Sequence, residues 1–241
     1  MNIAIIPARG GSKRIPRKNI KNFCGKPIIA WSIRAAIDNS CFDRIIVSTD
    51  DQEIADIAQE WGAEVPFIRP ANLADDHTDT LSVVNHAIQQ LMLDGQSPEF
   101  VCCIYATAPF VVFTNLATAL QSLIEHSSNY AFSVTSFPFP IQRALKVTDE
   151  GRISMFYPEY QATRSQDLEE AYHDAGQFYW GRAQAFLDRQ PIFSNHAMPI
   201  VLPRYQVQDI DTLEDWQHAE LLFSTLQEIS SSSSLTRPHP D

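Results

Sequence analysis

Ile3-Ala4-Ile5-Ile6-Pro7-Ala8-Arg9-Gly10-Gly11-Ser12-Lys13-Arg14-Ile15-Pro16-Arg17-Lys18-Asn19 is an apolar run that breaks into a cationic loop. Its first four residues have the length and β-branched content of a buried strand. The loop holds two adjacent glycines, a serine and five cations: Arg9, Lys13, Arg14, Arg17 and Lys18. A buried strand running straight into such a loop is how α/β proteins hold polyphosphates. Glycines let backbone amides approach the phosphate oxygens, and the cations neutralise charge. The first 37 residues contain eight of the 18 Lys and Arg and no Asp or Glu, so the loop reads as the mouth of an anion site. The competing reading is a solvated basic face. Two common spellings are excluded. A P-loop needs Lys followed by Ser or Thr, whereas Ser12 precedes Lys13. A dinucleotide fingerprint needs three spaced glycines. A kinase or P-loop NTPase is therefore disfavoured.

Outward from the loop, short apolar strands alternate with amphipathic helices. A helix opens at Pro27, a residue tolerated at the first helical position. Residues 44–49 read as a second strand. Asp50, with Glu53 three residues on, reads as a capping box for a helix that Gly62 closes. There follow a strand at 64–68, a helix capped by Thr78 or Thr80 and running to about Leu93, a very apolar strand at 100–105, a helix at 115–126 and a strand at 130–136. This alternation predicts an α/β fold with a mainly parallel sheet covered on both faces. Residues 137–173 break the pattern with Phe137-Pro138-Phe139-Pro140 and a hairpin signal at Asp149-Glu150-Gly151, and read as an inserted arm. A short strand at 177–180, a helix at 182–187, a strand at 197–202, an extended stretch at 207–211 and a helix from Thr212 to about Glu228 complete the pattern. The expected organisation is one domain over 1–229, with the arm at 137–173 and a serine-rich disordered tail at 230–241.

Length and composition fit an ordinary globule: 241 residues, 44% apolar and 20% charged. The net charge of −11 argues against general nucleic-acid binding. Past residue 37 ten cations face 29 carboxylates, so positive charge is focused at one place, as suits a small anionic substrate. Four cysteines without a Cys-x-x-Cys pair predict reduced thiols. The N-terminal apolar run is too short for a signal peptide, and residues 100–113 are too short to span a bilayer. A cytoplasmic protein without membrane contact is expected.

Residues 7–16 with Lys18-Asn19 resemble the signature loop of the sugar cytidylyltransferases that activate sialic-acid-like nonulosonic acids. Residues 101–109 (VCCIYATAP), 132–145 (FSVTSFPFPIQRAL), 163–181 (TRSQDLEEAYHDAGQFYWG) and 207–212 (VQDIDT) extend the resemblance from Asn2 to about Glu220, most nearly to the members acting on pseudaminic acid. It implies a three-layer Rossmann-like nucleotidyltransferase fold with a mainly parallel central sheet and an inserted dimerisation arm, hence a homodimer. It also implies transfer of CMP from CTP to the anomeric hydroxyl of the sugar acid, with Mg²⁺ as cofactor. One rival is the same reaction on legionaminic acid, N-acetylneuraminic acid or a ketodeoxyoctonate. Another is a non-catalytic nucleotide-binding regulatory protein, against which the joint presence of Lys18, Asp209 and Asp211 speaks.

Such a transfer is catalysed mostly by positioning and electrostatics. In the loop, Arg9 and Lys18 are the phosphate grips, with Ser12, Ala8 and the Gly10 and Gly11 amides beside them. The resemblance assigns Asn19 to the ribose or base and Arg69 to the cytosine, whose O2 and N3 are acceptors. Asp209 and Asp211, two apart on an extended segment, share a face and suit Mg²⁺. Alternatively, Asp211-Thr212 with Asp215 caps the last helix. Arg9, Lys18 and Asp211 form the catalytic set. For the sugar, Arg143 and Arg164 are candidate carboxylate partners, while Thr107, His173, Gln177 and Tyr179 line the expected pocket. Asp75, Asp76 and His77 read as loop solvation or capping rather than a metal cluster. No general base stands out.

Overall fold

The computed structural model describes residues 1–38, 40–75 and 78–234, with side chains described as far as Ile229. Its strands are β1 (Asn2–Pro7), β2 (Asn22–Phe23), β3 (Lys26–Pro27), β4 (Arg44–Ser48), β5 (Phe100–Ile104), β6 (Tyr130–Ser136), β7 (Leu145–Val147), β8 (Ile153–Met155), β9 (Tyr172–Arg182) and β10 (Ala197–Val201). Its α-helices are α1 (Ile28–Ile37), α2 (Gln52–Glu60), α3 (Thr80–Leu93), α4 (Phe113–Glu125), α5 (Ala183–Leu187) and α6 (Leu213–Ser234).

The central sheet has the order β10-β6-β9-β5-β1-β4. β1 is parallel to both neighbours, β10 is parallel to β6, and β9 alone runs antiparallel, between β5 and β6. Period-two alternation in β1 separates the two faces. Ala4 and Ile6 join a cluster with α1, α2 and α4, whereas Ile3 and Ile5 join one with α3 and α5. All four side chains are fully buried. Burial of each large one stabilises the fold by about 1.5–3 kcal/mol. A third cluster brings Ile15 and Phe23 from the loop region against Phe110, Ile210, Trp216 and Phe223. It seats the loop's far end and the approach to α6 on the same core.

Several expectations shift. Residues 64–68 form only isolated parallel bridges at Glu64 and Ile68, because Pro66 has no N–H for a ladder. Residues 207–211 form no strand. The strand expected at 177–180 is the eleven-residue β9. It pairs with β6 through a register shift near Ser133, where the Ser133 hydroxyl accepts from the Gln177 and Phe178 amides at 3.3 and 3.2 Å. The excursion between β6 and β9 holds the β7–β8 hairpin, whose turn uses Gly151 at φ +73°. α6 continues through the serines to Ser234, past the expected start of the tail at 230; residues 235–241, and Asp76 and His77, lie outside the described residues.

Candidate active site

The loop after β1 is pinned before it reaches any ligand. The Ala8 N–H donates to the Ser48 carbonyl at 3.0 Å. The Gly10 N–H donates to Asp50 Oδ1 at 3.1 Å. Asn19 Nδ2 donates to the Arg9 carbonyl at 2.8 Å, drawing the two ends of the loop together. Arg17 sits in the left-handed region (φ 54°) and grips Asp51 with two nitrogens at 2.5 and 2.9 Å. Asp51, not Asp50, caps α2 by accepting from the Ile54 N–H at 3.1 Å. Arg17 is thus a structural anchor. Its guanidinium is held above the ordinary arginine value by the hydrogen bond to Asp51, and the Asp51 carboxyl is lowered by the same bond.

What remains of the loop faces a cavity of about 580 Å³ at the carboxyl end of the sheet, where ligands of open α/β sheets bind. Arg9, Ser12, Lys18, Asn19, Arg69, Thr107 and Asp211 all line it. Arg69 is only 3% exposed, and its Nε has no partner among the described residues. Asp50 lies 3.5 Å from its Nη2. Burial lowers the Arg69 pKa against the pull of Asp50. A buried guanidinium with one long ion pair calls for further acceptors. Lys18 Nζ lies 3.6 Å from Asp211 Oδ1, and Arg14 Nη1 donates to Asp211 Oδ2 at 2.8 Å. Burial also lowers the Lys18 pKa, opposed by Asp211 and Asp209.

The structure divides the two readings of Asp211 and Thr212. Asp215 accepts from the Thr212 N–H at 2.7 Å, and the Asp215 N–H donates to Thr212 Oγ1 at 3.2 Å. This reciprocal pair caps α6. The Asp211 side chain takes no part in the cap and turns to Lys18 and Arg14. Ile210 is 2% exposed, in the third cluster, and Asp209 is exposed outside the cavity lining. Among the described residues no group of three or more His, Cys, Asp or Glu converges on a metal position. Mg²⁺ does not require one, since it is held by one or two carboxylates with substrate phosphates and water. The Asp211–Asp209 pair beside Lys18 fits that donor set. Asp75 accepts from the Thr78 N–H at 2.7 Å, a local turn contact.

The remaining expected sugar residues do not line the cavity. Gln177 and Tyr179 are buried in β9. Gln177 donates to the Gln206 carbonyl, and its Oε1 has no partner among the described residues. Tyr179 donates its hydroxyl to Asp174, and burial pushes its pKa far up. His173 Nδ1 lies 2.9 Å from the Asp174 carbonyl, with its ring edge-on to Phe137. Arg143 donates to the Thr163 carbonyl, and Arg164 pairs with Asp167 at 2.7 Å; both are exposed and bonded within the arm. The Gly10 amide, expected at a phosphate, is already given to Asp50.

Sequence reasoning missed Asp50 as a partner of the loop, although Asp50-Asp51 follows a strand as ligand-side residues do. It also missed Tyr105 and Thr80 in the cavity wall, whose hydroxyls lie 3.2 Å apart. Tyr105 ends an apolar strand, so only its phenol signalled a polar role.

A mixed, mainly parallel sheet with a cationic loop after its first strand is the Rossmann-like nucleotidyltransferase fold. The solved structure of CMP:2-keto-3-deoxy-manno-octonic acid synthetase complexed with CTP shares it, at TM-score 0.68 and 15% identity over 93% of this chain and 98% of that one. The Cytidylyltransferase family model matches residues 3–232, and the chain belongs to that family. It is 45% identical over 227 residues to the pseudaminic acid cytidylyltransferase of Campylobacter jejuni, covering 94% of this chain and 98% of that protein. It is 32% identical to the CMP-N,N'-diacetyllegionaminic acid synthase of Legionella pneumophila, covering 94% and 97%. No described helix is long and apolar enough to cross a membrane.

Proposed function

We propose that this chain transfers CMP from CTP to the anomeric hydroxyl of a nonulosonic acid, pseudaminic acid foremost, releasing pyrophosphate. The observation that carries the reading is one cavity holding both the cationic loop and a buried Arg69 short of acceptors. In it, Arg9, Ser12, Lys18 and the Gly11 amide hold the triphosphate, and Arg69 donates to cytosine O2 and N3. The sugar oxygen attacks the α-phosphorus, the bond to pyrophosphate breaks, and the hydroxyl proton leaves to a base. Asp211 and Asp209 would hold Mg²⁺, which when bound supplies neutralisation of the triphosphate charge. Asn19 braces the loop beside the ribose, and Ala8 fixes where it leaves the sheet.

Thr107 is the sugar contact that lines the cavity, while Gln177, His173 and Tyr179 support the sugar pocket from β9, the last two organised around Asp174. Arg143 and Arg164 take the sugar carboxylate from the arm of a second copy. The arm exposes Phe139, Leu145, Val147 and Ile153 at 57–79%, a costly surface to leave in water, so a homodimer is part of this reading. A single domain carrying an arm at 137–173, and a cytoplasmic location suited to four cysteines outside any disulfide, complete it.

Pyrophosphate release with CTP and Mg²⁺ against a panel of nonulosonic acids tests the function. Turnover is expected with pseudaminic acid. Turnover with another acid alone overturns the sugar assignment. CTP binding without release from any acid returns the protein to the nucleotide-binding regulators.

A further inference from the structure

The carboxyl end of β4 is where the two halves of the nucleotide site meet. Three consecutive residues there hold both. Ser48 accepts from the Ala8 N–H at 3.0 Å, where the loop departs. Thr49 accepts from the Arg69 N–H at 2.7 Å. Asp50 reaches both with one atom: its Oδ1 accepts from the Gly10 N–H at 3.1 Å and lies 3.5 Å from Arg69 Nη2. Asp50 is released for this because Asp51 caps α2 in its place. It does not itself line the cavity.

We propose that Asp50 is a positioning residue for nucleobase recognition, tying the phosphate-binding loop at Gly10 to the guanidinium of Arg69 and so fixing the base-reading donors relative to the triphosphate. This rests on the cytidylyl-transfer reading, in which Arg69 faces the base.

The physical case begins with Arg69. A guanidinium only 3% exposed needs an opposing charge, and among the described residues Asp50 is the carboxylate in ion-pair reach of it. The guanidinium is a rigid planar fork, so an anion on one side sets where the remaining donors point. A fixed fork separates pyrimidines sharply. Cytosine presents acceptors at O2 and N3, whereas uracil presents an N3–H that opposes a donor. Sites built on such pairing discriminate strongly because the wrong base leaves buried polar groups unpaired. Without Asp50 the fork keeps its burial but loses its alignment. The loop also loses the acceptor that holds the Gly10 amide.

Two substitutions separate these effects. Asp50→Asn is isosteric and keeps an oxygen for the Gly10 amide while removing the charge opposite Arg69. Asp50→Ala removes both. The experiment is calorimetric titration of CTP, UTP and tripolyphosphate, without any sugar acid, into wild type and both variants, with thermal unfolding alongside. The expected result is a CTP-over-UTP preference reduced about tenfold or more in both variants. Tripolyphosphate affinity changes less than about threefold in D50N and falls further in D50A. A wild-type preference retained in both variants overturns the proposal, whatever happens to the melting temperature. Should D50A not fold, D50N carries the same test. Wild type without any preference for CTP overturns the reading of Arg69 and, with it, the role of Asp50. Wild type and variants that prefer CTP to the same extent leave the enzyme assignment standing and remove only Asp50.

Discussion

Gly10→Ala probes how tightly the loop is fitted. A Cβ at Gly10 would sit 2.6 Å from Asp51 Oδ2, 3.1 Å from its Cβ and 3.2 Å from its Cγ. Gly10 does not occupy the left-handed region, so the cost is contact and not backbone strain. Asp51 cannot simply swing away. Its carboxylate takes two nitrogens of Arg17 and the Ile54 N–H. Moving it forfeits a helix cap worth about 1 kcal/mol and a partly exposed ion pair worth up to about 1 kcal/mol. Displacing the loop instead forfeits the Gly10–Asp50 hydrogen bond, again about 1 kcal/mol. The cheaper route sets the cost, so with incomplete relief of the clash the substitution destabilises by about 1–2 kcal/mol. For a chain of this length that is a fall in Tm of about 2–8 °C. Gly11→Ala is the control, because nothing lies within 4 Å of its Cβ; it should stay within about 0.5 kcal/mol of wild type. Urea and thermal unfolding of G10A, G11A, D51A and G10A/D51A measure the cycle. If Asp51 is the obstacle, G10A costs under about 1 kcal/mol once Asp51 is already Ala. Equal destabilisation by G10A and G11A, or additive effects of G10A and D51A, would refute the reasoning.

Three further outcomes follow from the same geometry. Asp211→Asn should lower kcat for pyrophosphate release by about 10²–10³, with the fold retained because Thr212 and Asp215 cap α6 without it; a normal rate across a Mg²⁺ titration would refute the proposed Mg²⁺ role of Asp211. The Asp51 carboxyl is depressed below 3.8, chiefly by Arg17. Its stabilisation is therefore complete above the unfolded value and lost as pH falls through the folded one, so the stability gap between wild type and Asp51→Asn should be flat from pH 7 to 5 and close below 3.8; a gap unchanged at pH 3 would be the contrary result in urea titrations. Burial raises the thiol pKa of Cys102 and Cys103, both 0% exposed. A disulfide reagent at pH 7 should leave both unlabelled in the native protein and reach all four cysteines in guanidinium; rapid native labelling of a third thiol would contradict that packing.

The features legible in the sequence are those set by neighbours along the chain. β1 and the loop after it are local: an apolar run, then glycines and cations, and the cavity stands where that break predicts. β9 was not local. Its extent is decided by Tyr130 to Ser136 on one side and Phe100 to Ile104 on the other, and its antiparallel sense by the arm that returns the chain. The run Tyr172-His173-Asp174-Ala175-Gly176 carries no strand signal, and Gly176 at φ +61° breaks the alternation.

Cap assignments show the same limit at the scale of single residues. At Asp50-Asp51 and at Asp211-Thr212 two adjacent residues can each cap a helix, and local chemistry ranks them nearly equally. What separates them is the partner brought from far along the chain. Arg17 claims Asp51, which leaves Asp50 to Gly10 and Arg69; Lys18 and Arg14 claim Asp211, which leaves the cap to Thr212 and Asp215. In both pairs the residue left out of the cap is the one paired with cations of the cavity wall. A carboxylate beside a redundant cap can therefore take a second task without unravelling its helix. This is why replacing Asp50 or Asp211 should change binding and turnover more than stability, whereas replacing Asp51 or Asp215 should do the reverse.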